Sequence, residues 1–142
     1  MAIHFLEQDR KIPVKARQKI KKLLSRVILL EGKNVGMINF VFCSDEYLAE
    51  VNRQFLGRDY FTDVISFGGE LKGKVTGDIL ISCDRIVDNA KEYGISFDEE
   101  LMRVMVHGLL HLSGYDDETV EQKQVMTNLE NRYLELLESH ET

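Results

Sequence analysis

The residues with the most chemistry per unit length lie in one run, His107-Gly108-Leu109-Leu110-His111-Leu112-Ser113-Gly114-Tyr115-Asp116-Asp117. Residues four apart on a helix stand one turn above each other, so His107 and His111 can aim two imidazoles at one ion. With four histidines in the chain, that spacing alone proves little, and its context has to carry the reading. The context does so. Counted at about 100° per residue from Leu101, Val104, Met105, Gly108, Leu109 and Leu112 fall on one broad arc and Val106 and Leu110 on the far side. The strip left between them is Arg103, His107 and His111, which predicts a largely buried helix whose hydrophilic edge opens onto a cleft. Neutral imidazoles in such a place need partners for their ring nitrogens, and a shared ion supplies one.

The helix end brings a third group. Ser96-Phe97-Asp98-Glu99 has the capping-box arrangement at its start, and Gly114 can take the left-handed conformation that ends a helix and turns the chain back. Asp117 then returns toward the imidazoles. His-x3-His-x2-Gly-x2-Asp offers three ligands and leaves a coordination position for water, as in catalytic rather than structural zinc sites. The competing role for Asp117 is N-cap of the last helix, a place for which Asp116 and Thr119, with Gln122 three residues on, also compete.

The elements that must hold this run are legible along the chain. A short strand is predicted at Ile3–Phe5, and a helix from about Pro13 whose Ile20, Leu23, Leu24, Val27 and Ile28 form an apolar face and Lys15, Lys19, Lys22 and Arg26 a basic one. Met37–Ser44 reads as a strand, followed by a helix capped by Asp45 and carrying Leu48, Val51 and Phe55. Val64–Phe67 and Ile79–Ser82 read as a hairpin through the segment Gly68 to Lys74, with helices over Asp84–Tyr93, Asp98–Ser113 and Thr119–Glu138. These elements predict an α+β fold, one domain over residues 1–142, with a small mixed sheet against several helices.

The chain has 142 residues, 44% of them hydrophobic, enough for one sizeable core. Its formal charge of -6 excludes whole-molecule attraction to nucleic acid or anionic membrane as a main driving force. The charge is polarised, however. Arg10 to Leu30 carries eight bases and no acid, leaving -14 on the remainder. That run is either a solvated helix face or a phosphate-binding surface. No basic segment followed by an apolar run opens the sequence, so a cytoplasmic chain without membrane attachment is expected. Cys43 and Cys83, outside any C-x-x-C pattern, are expected to be reduced, small, buried filler.

The run from His107 to Asp116 matches every fixed position before the final histidine of H-G-x-L-H-L-x-G-Y-D-H, the mark of the YbeY family of bacterial metal-dependent endoribonucleases of ribosomal RNA maturation. Upstream, Asn52, Phe55, Asp59 and Thr62-Asp63-Val64-Ile65-Ser66-Phe67 resemble that family's L-N-x-x-Y-R-x-K-D-x-P-T-D-V-L-S-F, and Gly77-Asp78-Ile79 resembles its G-D-I strand. The resemblance implies a zincin-like fold with Zn2+ at His107, His111 and Asp117. It also implies cleavage of single-stranded RNA, and a role in 16S rRNA 3′-end processing and ribosome quality control alongside the small ribosomal subunit and its assembly factors. Two positions depart from the pattern. Asp117 stands where the family usually has histidine, and its harder oxygen weakens the preference for zinc over manganese, iron or nickel. Leu56 stands where the family has an arginine. Arg58, at the motif's lysine, can offer substrate phosphate a cation or be a plain surface residue.

Three other readings fit parts of the pattern: a metalloprotease, a two-His-one-carboxylate iron oxygenase, and a non-catalytic ribosome-assembly factor with a structural metal. Zinc peptidases of the H-E-x-x-H type place a general-base Glu directly after the first His, where this chain has Gly108. Asp63 and Ser66 are read as substrate contacts or as structural hydrogen-bonding groups. No general base is identifiable from sequence.

Overall fold

A computed structural model describes the backbone of residues 2–141 and the side chains of residues 2–138. In chain order the elements are β1 (Ala2–Glu7), α1 (Arg17–Leu30), β2 (Asn34–Cys43), α2 (Asp45–Leu56), β3 (Val64–Leu71), β4 (Lys74–Ser82), α3 (Cys83–Tyr93), α4 (Phe97–Leu112) and α5 (Val120–Glu141). The four strands form one sheet in the order β1-β2-β4-β3. β1, β2 and β4 run parallel and β3 antiparallel to β4, so the sheet is mixed, as the alternation of strands and helices with one hairpin predicts.

Alternation along β2 explains why the sheet is covered on both faces. Ile38, Phe40 and Phe42 point to the main core, where they meet Leu24 and Ile28 of α1, Met105 and Leu109 of α4, and Met126 and Tyr133 of α5. On the opposite face Cys43, Ile65 and Leu80 pack under Leu48 and Val51 of α2. The two thiols are free. Burial pushes Cys43 up to about 12 and Cys83 up to about 11, which keeps both protonated, although Cys83 is only partly buried.

Three local expectations differ in detail. α1 starts at Arg17 rather than near Pro13, because Val14 is drawn into the core and Ala16 turns the chain with φ 50° before the first helical residue. α2 is capped by Ser44, whose hydroxyl accepts from the Tyr47 N–H at 3.1 Å, while Asp45 is engaged by Ser82 and Arg85. The hairpin connection is two residues, not seven. Lys72 and Gly73, at φ 53° and 79°, make the tight left-handed turn that matches strand twist, and the strands extend up to it.

The contact that positions the candidate site is that of α4 on the sheet. A β-carbon at Gly108 would lie 2.6 Å from Ile79 Cγ2 on β4, and Ile79 is completely buried. Only a residue without a side chain lets the helix come this close. Replacing Gly108 by Ala should therefore destabilise the protein by about 1–2 kcal/mol, an overpacking cost of about 2–3 kcal/mol, in the upper part of the usual range for so short a contact, offset by about 1 kcal/mol of helix propensity. Urea unfolding measures this. Unchanged or raised stability would mean that α4 lifts from the sheet without cost.

Candidate metal centre

α4 opens as its sequence predicts. Ser96 caps it, accepting from the Glu99 N–H at 3.1 Å, and Asp98, Glu99 and Glu100 crowd the first turn, where the helix dipole favours negative charge. Leu101, Val104, Met105, Val106, Leu109, Leu110 and Leu112 are buried all round, and Arg103, His107 and His111 form the partly exposed strip between them. At the far end Gly114 takes φ 112°, and the Tyr115 N–H closes back on the Leu110 carbonyl at 3.0 Å. The turn is tied to the rest of the chain by Lys33, which donates to the Ser113 carbonyl. Tyr115 donates to Glu31 at 2.6 Å, and Tyr133 of α5 donates to the other oxygen of the same carboxylate.

This bend returns Asp117 to the imidazoles. His107 Nε2 and His111 Nε2 are 3.1 Å apart, and the two oxygens of Asp117 lie 3.4 Å from one ring each. A tetrahedral ion bonded at about 2.0–2.1 Å to each donor requires donor separations of about 3.3–3.4 Å. The three side chains therefore fit a divalent ion in spacing and in donor type. The rival role for Asp117 is taken by Thr119. Its hydroxyl accepts from the Gln122 N–H while Gln122 Oε1 accepts from the Thr119 N–H, a reciprocal cap for α5.

Two contributors lie outside the motif. Glu130 of α5 lies 2.6 Å from His107 Nδ1, a contact that in the neutral ring favours the proton on Nδ1 and turns a bare Nε2 toward Asp117 and His111. Arg103 donates to Glu130 at 3.1 Å and to Asn131 at 2.8 Å, holding that carboxylate in place. Burial alone would lower the His107 imidazole. The Glu130 hydrogen bond and the negative charge of Glu130, Asp117 and Asp63 outweigh it, and the group sits above the ordinary histidine range. A signal for Glu130 exists in the sequence: it interrupts the apolar stripe Met126, Tyr133, Leu137 of α5, an acid where a core residue belongs.

The cleft beside these groups has a volume of about 280 Å³ and is lined by His107, Asp117, Lys123, Met126, Thr127 and Glu130. Exposures of 21% for His107, 26% for His111 and 37% for Asp117 leave all three within reach of water. A larger cavity of about 640 Å³, between the N-terminal ends of α1 and α4 and the C-terminal half of α5, mixes Lys15, Asp98, Arg103 and Glu135 without converging donors. The chemistry belongs to the smaller one.

Arg58 is not brought to the three donors by any contact. It lies exposed in the connection between α2 and β3, its N–H bonded to the Asn52 carbonyl at 3.2 Å, and its guanidinium forms no ion pair among the described residues. Asp63, at the end of that connection, accepts from Asn89 at 3.3 Å, and the same amide reaches buried Glu100 at 3.3 Å. Burial raises both carboxyls. Ser66 Oγ is buried without a hydrogen-bond partner.

A mixed α/β fold with a water-accessible His/His/Asp cluster, two members on a buried helix and the third just past its end, offers the donor set of a metal-dependent hydrolase. The chain belongs to the YbeY family: the family model described as Endoribonuclease YbeY matches residues 2–138. It is 43% identical over 135 residues to the Endoribonuclease YbeY of Cytophaga hutchinsonii, covering 94% of each chain. It is also 38% identical over 137 residues to that of Parabacteroides distasonis, covering 96% of each. The solution structure of TM1509 from Thermotoga maritima is similar, with a TM-score of 0.68 at 29% identity, covering 97% of this chain and 90% of that one.

Replacing Glu130 by Gln should weaken metal binding about 10–100-fold, because His107 loses the carboxylate charge that makes its ring a better donor to the ion, and the amide that remains can also turn its NH2 toward the ring. In the metal-free protein the raised His107 group contributes stability that is complete below about pH 6.5 and is lost as pH rises through its folded value. The Glu130→Gln variant should lose most of that dependence. Calorimetric metal titration and histidine NMR check both, and equal affinity with an unshifted His107 titration would remove Glu130 from the centre.

Proposed function

We propose that this chain is a metal-dependent endoribonuclease that cuts single-stranded RNA, with His107, His111 and Asp117 as the ligands and residues 1–142 acting as one domain. Zinc is the proposed ion, with manganese, iron and nickel as competitors because one donor is a carboxylate. The observation that carries the reading is the pair of imidazole nitrogens 3.1 Å apart, each with one oxygen of Asp117 at 3.4 Å, beside a water-accessible cleft. The names of the relatives support endoribonuclease activity.

A divalent ion held there supplies a Lewis acid for a phosphate oxygen and lowers the pKa of a coordinated water toward neutrality. The chain's own groups do the remainder. Glu130 holds the His107 proton on Nδ1, Arg103 keeps Glu130 oriented, and Lys123 in the cleft wall offers a cation to the phosphodiester. The exposed Lys15, just before α1, and Lys19, Lys22 and Arg26 on it offer the RNA backbone a docking face whose contribution weakens with salt. Arg58 is proposed as a further phosphate contact. Gly108 packed on Ile79 favours a nuclease over a peptidase, since a Glu in that position has no space. The proposed setting is the cytoplasm, in 16S rRNA 3′-end maturation and ribosome quality control with the small ribosomal subunit and its assembly factors.

One preparation tests this. Elemental analysis should find a divalent metal near one per chain. Cleavage of a single-stranded RNA should then fall to background with chelator and in His111→Ala, while unstructured protein stays intact. Equal RNA degradation by intact protein and variant would assign the activity to a contaminant and overturn the reading.

A further inference from the structure

The last turn of α2 and the connection from it to β3 expose more aromatic surface than their packing explains. Phe55, Tyr60 and Phe61, three of the twelve Phe and Tyr of the chain, fall within seven residues. They are 69%, 56% and 58% exposed. Their backbone is nevertheless fixed. Asn52, itself buried, donates through Nδ2 to the Tyr60 carbonyl at 2.9 Å and accepts the Arg58 N–H on its own carbonyl. At the far end the Asp63 carbonyl accepts from the Ser82 N–H at 3.0 Å. Two of the rings are held from behind: the Arg85 guanidinium lies 5.7 Å from the Phe61 ring centre, and Phe55 meets Phe67 edge-on at 6.2 Å. The loop is therefore braced while its rings face solvent, an arrangement that costs little entropy to use in binding.

We infer that Tyr60 and Phe61 form a stacking platform for the unpaired bases of the RNA substrate and give the site its preference for single strands. The inference rests on the endoribonuclease reading and deepens it. Three observations favour nucleic acid bases as the occupant. Exposed Arg58 stands among the rings to meet phosphate, and stacked aromatic rings with interleaved cations are what a single strand binds without sequence preference. The loop is also continuous with the proposed centre: it runs into Asp63, whose charge acts on His107, and then into β3, which packs against α4. A strand stacked on the platform thus leads toward the three donors. A duplex, whose base faces are already covered by their neighbours, has none to offer. The surface also departs from the family motif quoted above, since Phe61 stands where that motif has proline and Leu56 where it has arginine.

The test is equilibrium binding by fluorescence anisotropy, with chelator present so that the strand survives. A labelled single-stranded RNA is compared with an abasic ribose-phosphate strand of equal length. Phe61→Ala and Tyr60→Ala should each bind the base-containing strand about five- to a hundredfold more weakly, Phe61→Trp should match or exceed the unaltered protein, and Phe61→Leu should not rescue. On the abasic strand all of them should bind alike. Both side chains are exposed, so the variants fold. Binding untouched by Phe61→Ala and Tyr60→Ala, or a loss equally large on the abasic strand, overturns the platform and leaves the nuclease reading standing. Self-association of the unaltered protein that Phe61→Ala abolishes while RNA binding persists assigns the surface to a second copy and likewise overturns it. No RNA binding by the unaltered protein overturns both.

Discussion

Two imidazole nitrogens 3.1 Å apart, with a carboxylate oxygen 3.4 Å from each, aim their lone pairs at one small region, and either a proton shared between the rings or a cation held by all three groups must offset them. That electrostatic requirement organises the surrounding structure. α4 is buried nearly all round, so its polar strip has one direction in which to face. Gly108 lets the helix sink onto Ile79, Gly114 turns the chain back, and Glu31 grips both Tyr115 and Tyr133, fixing the returning turn against α5. Each contact is modest, yet together they hold three donors within the spacing that one ion imposes.

The same arrangement makes Gly108 informative about chemistry as well as packing. A peptidase of the H-E-x-x-H type needs a carboxylate in this position, and here the space is filled by a β4 side chain. The centre thereby keeps the ligand geometry of a metallohydrolase without the peptidase base. The groups that surround it come from another element and from α4 itself: Glu130 of α5 meets His107 Nδ1, Arg103 holds Glu130, and Lys123 of α5 lines the cleft.

The donor triangle was readable along the sequence because its members lie within eleven residues and one helix turn and one glycine bend determine their approach. The polar strip of α4 and the core face of α1 followed from helical periodicity for the same local reason. Glu130 was not read, because its partner His107 is 23 residues away and the acid sits inside an otherwise apolar stripe of α5. The cap of α2 was assigned to Asp45, which instead serves Ser82 and Arg85, partners 37 and 40 residues away. The seven-residue connection expected between β3 and β4 failed because glycines at 68 and 69 continue the ladder, leaving the turn to Lys72 and Gly73. The order of the strands rests on which faces bury against α1, α2 and α4, a long-range outcome that local pattern does not carry.

X-ray absorption spectroscopy of the metal-loaded protein addresses the central claim most directly. The account predicts two histidine nitrogens and carboxylate or water oxygen in the first shell at about 2.0–2.2 Å, with Asp117→Ala removing oxygen scattering and His111→Ala removing imidazole scattering. A spectrum without imidazole, or one unaltered in both variants, would contradict it.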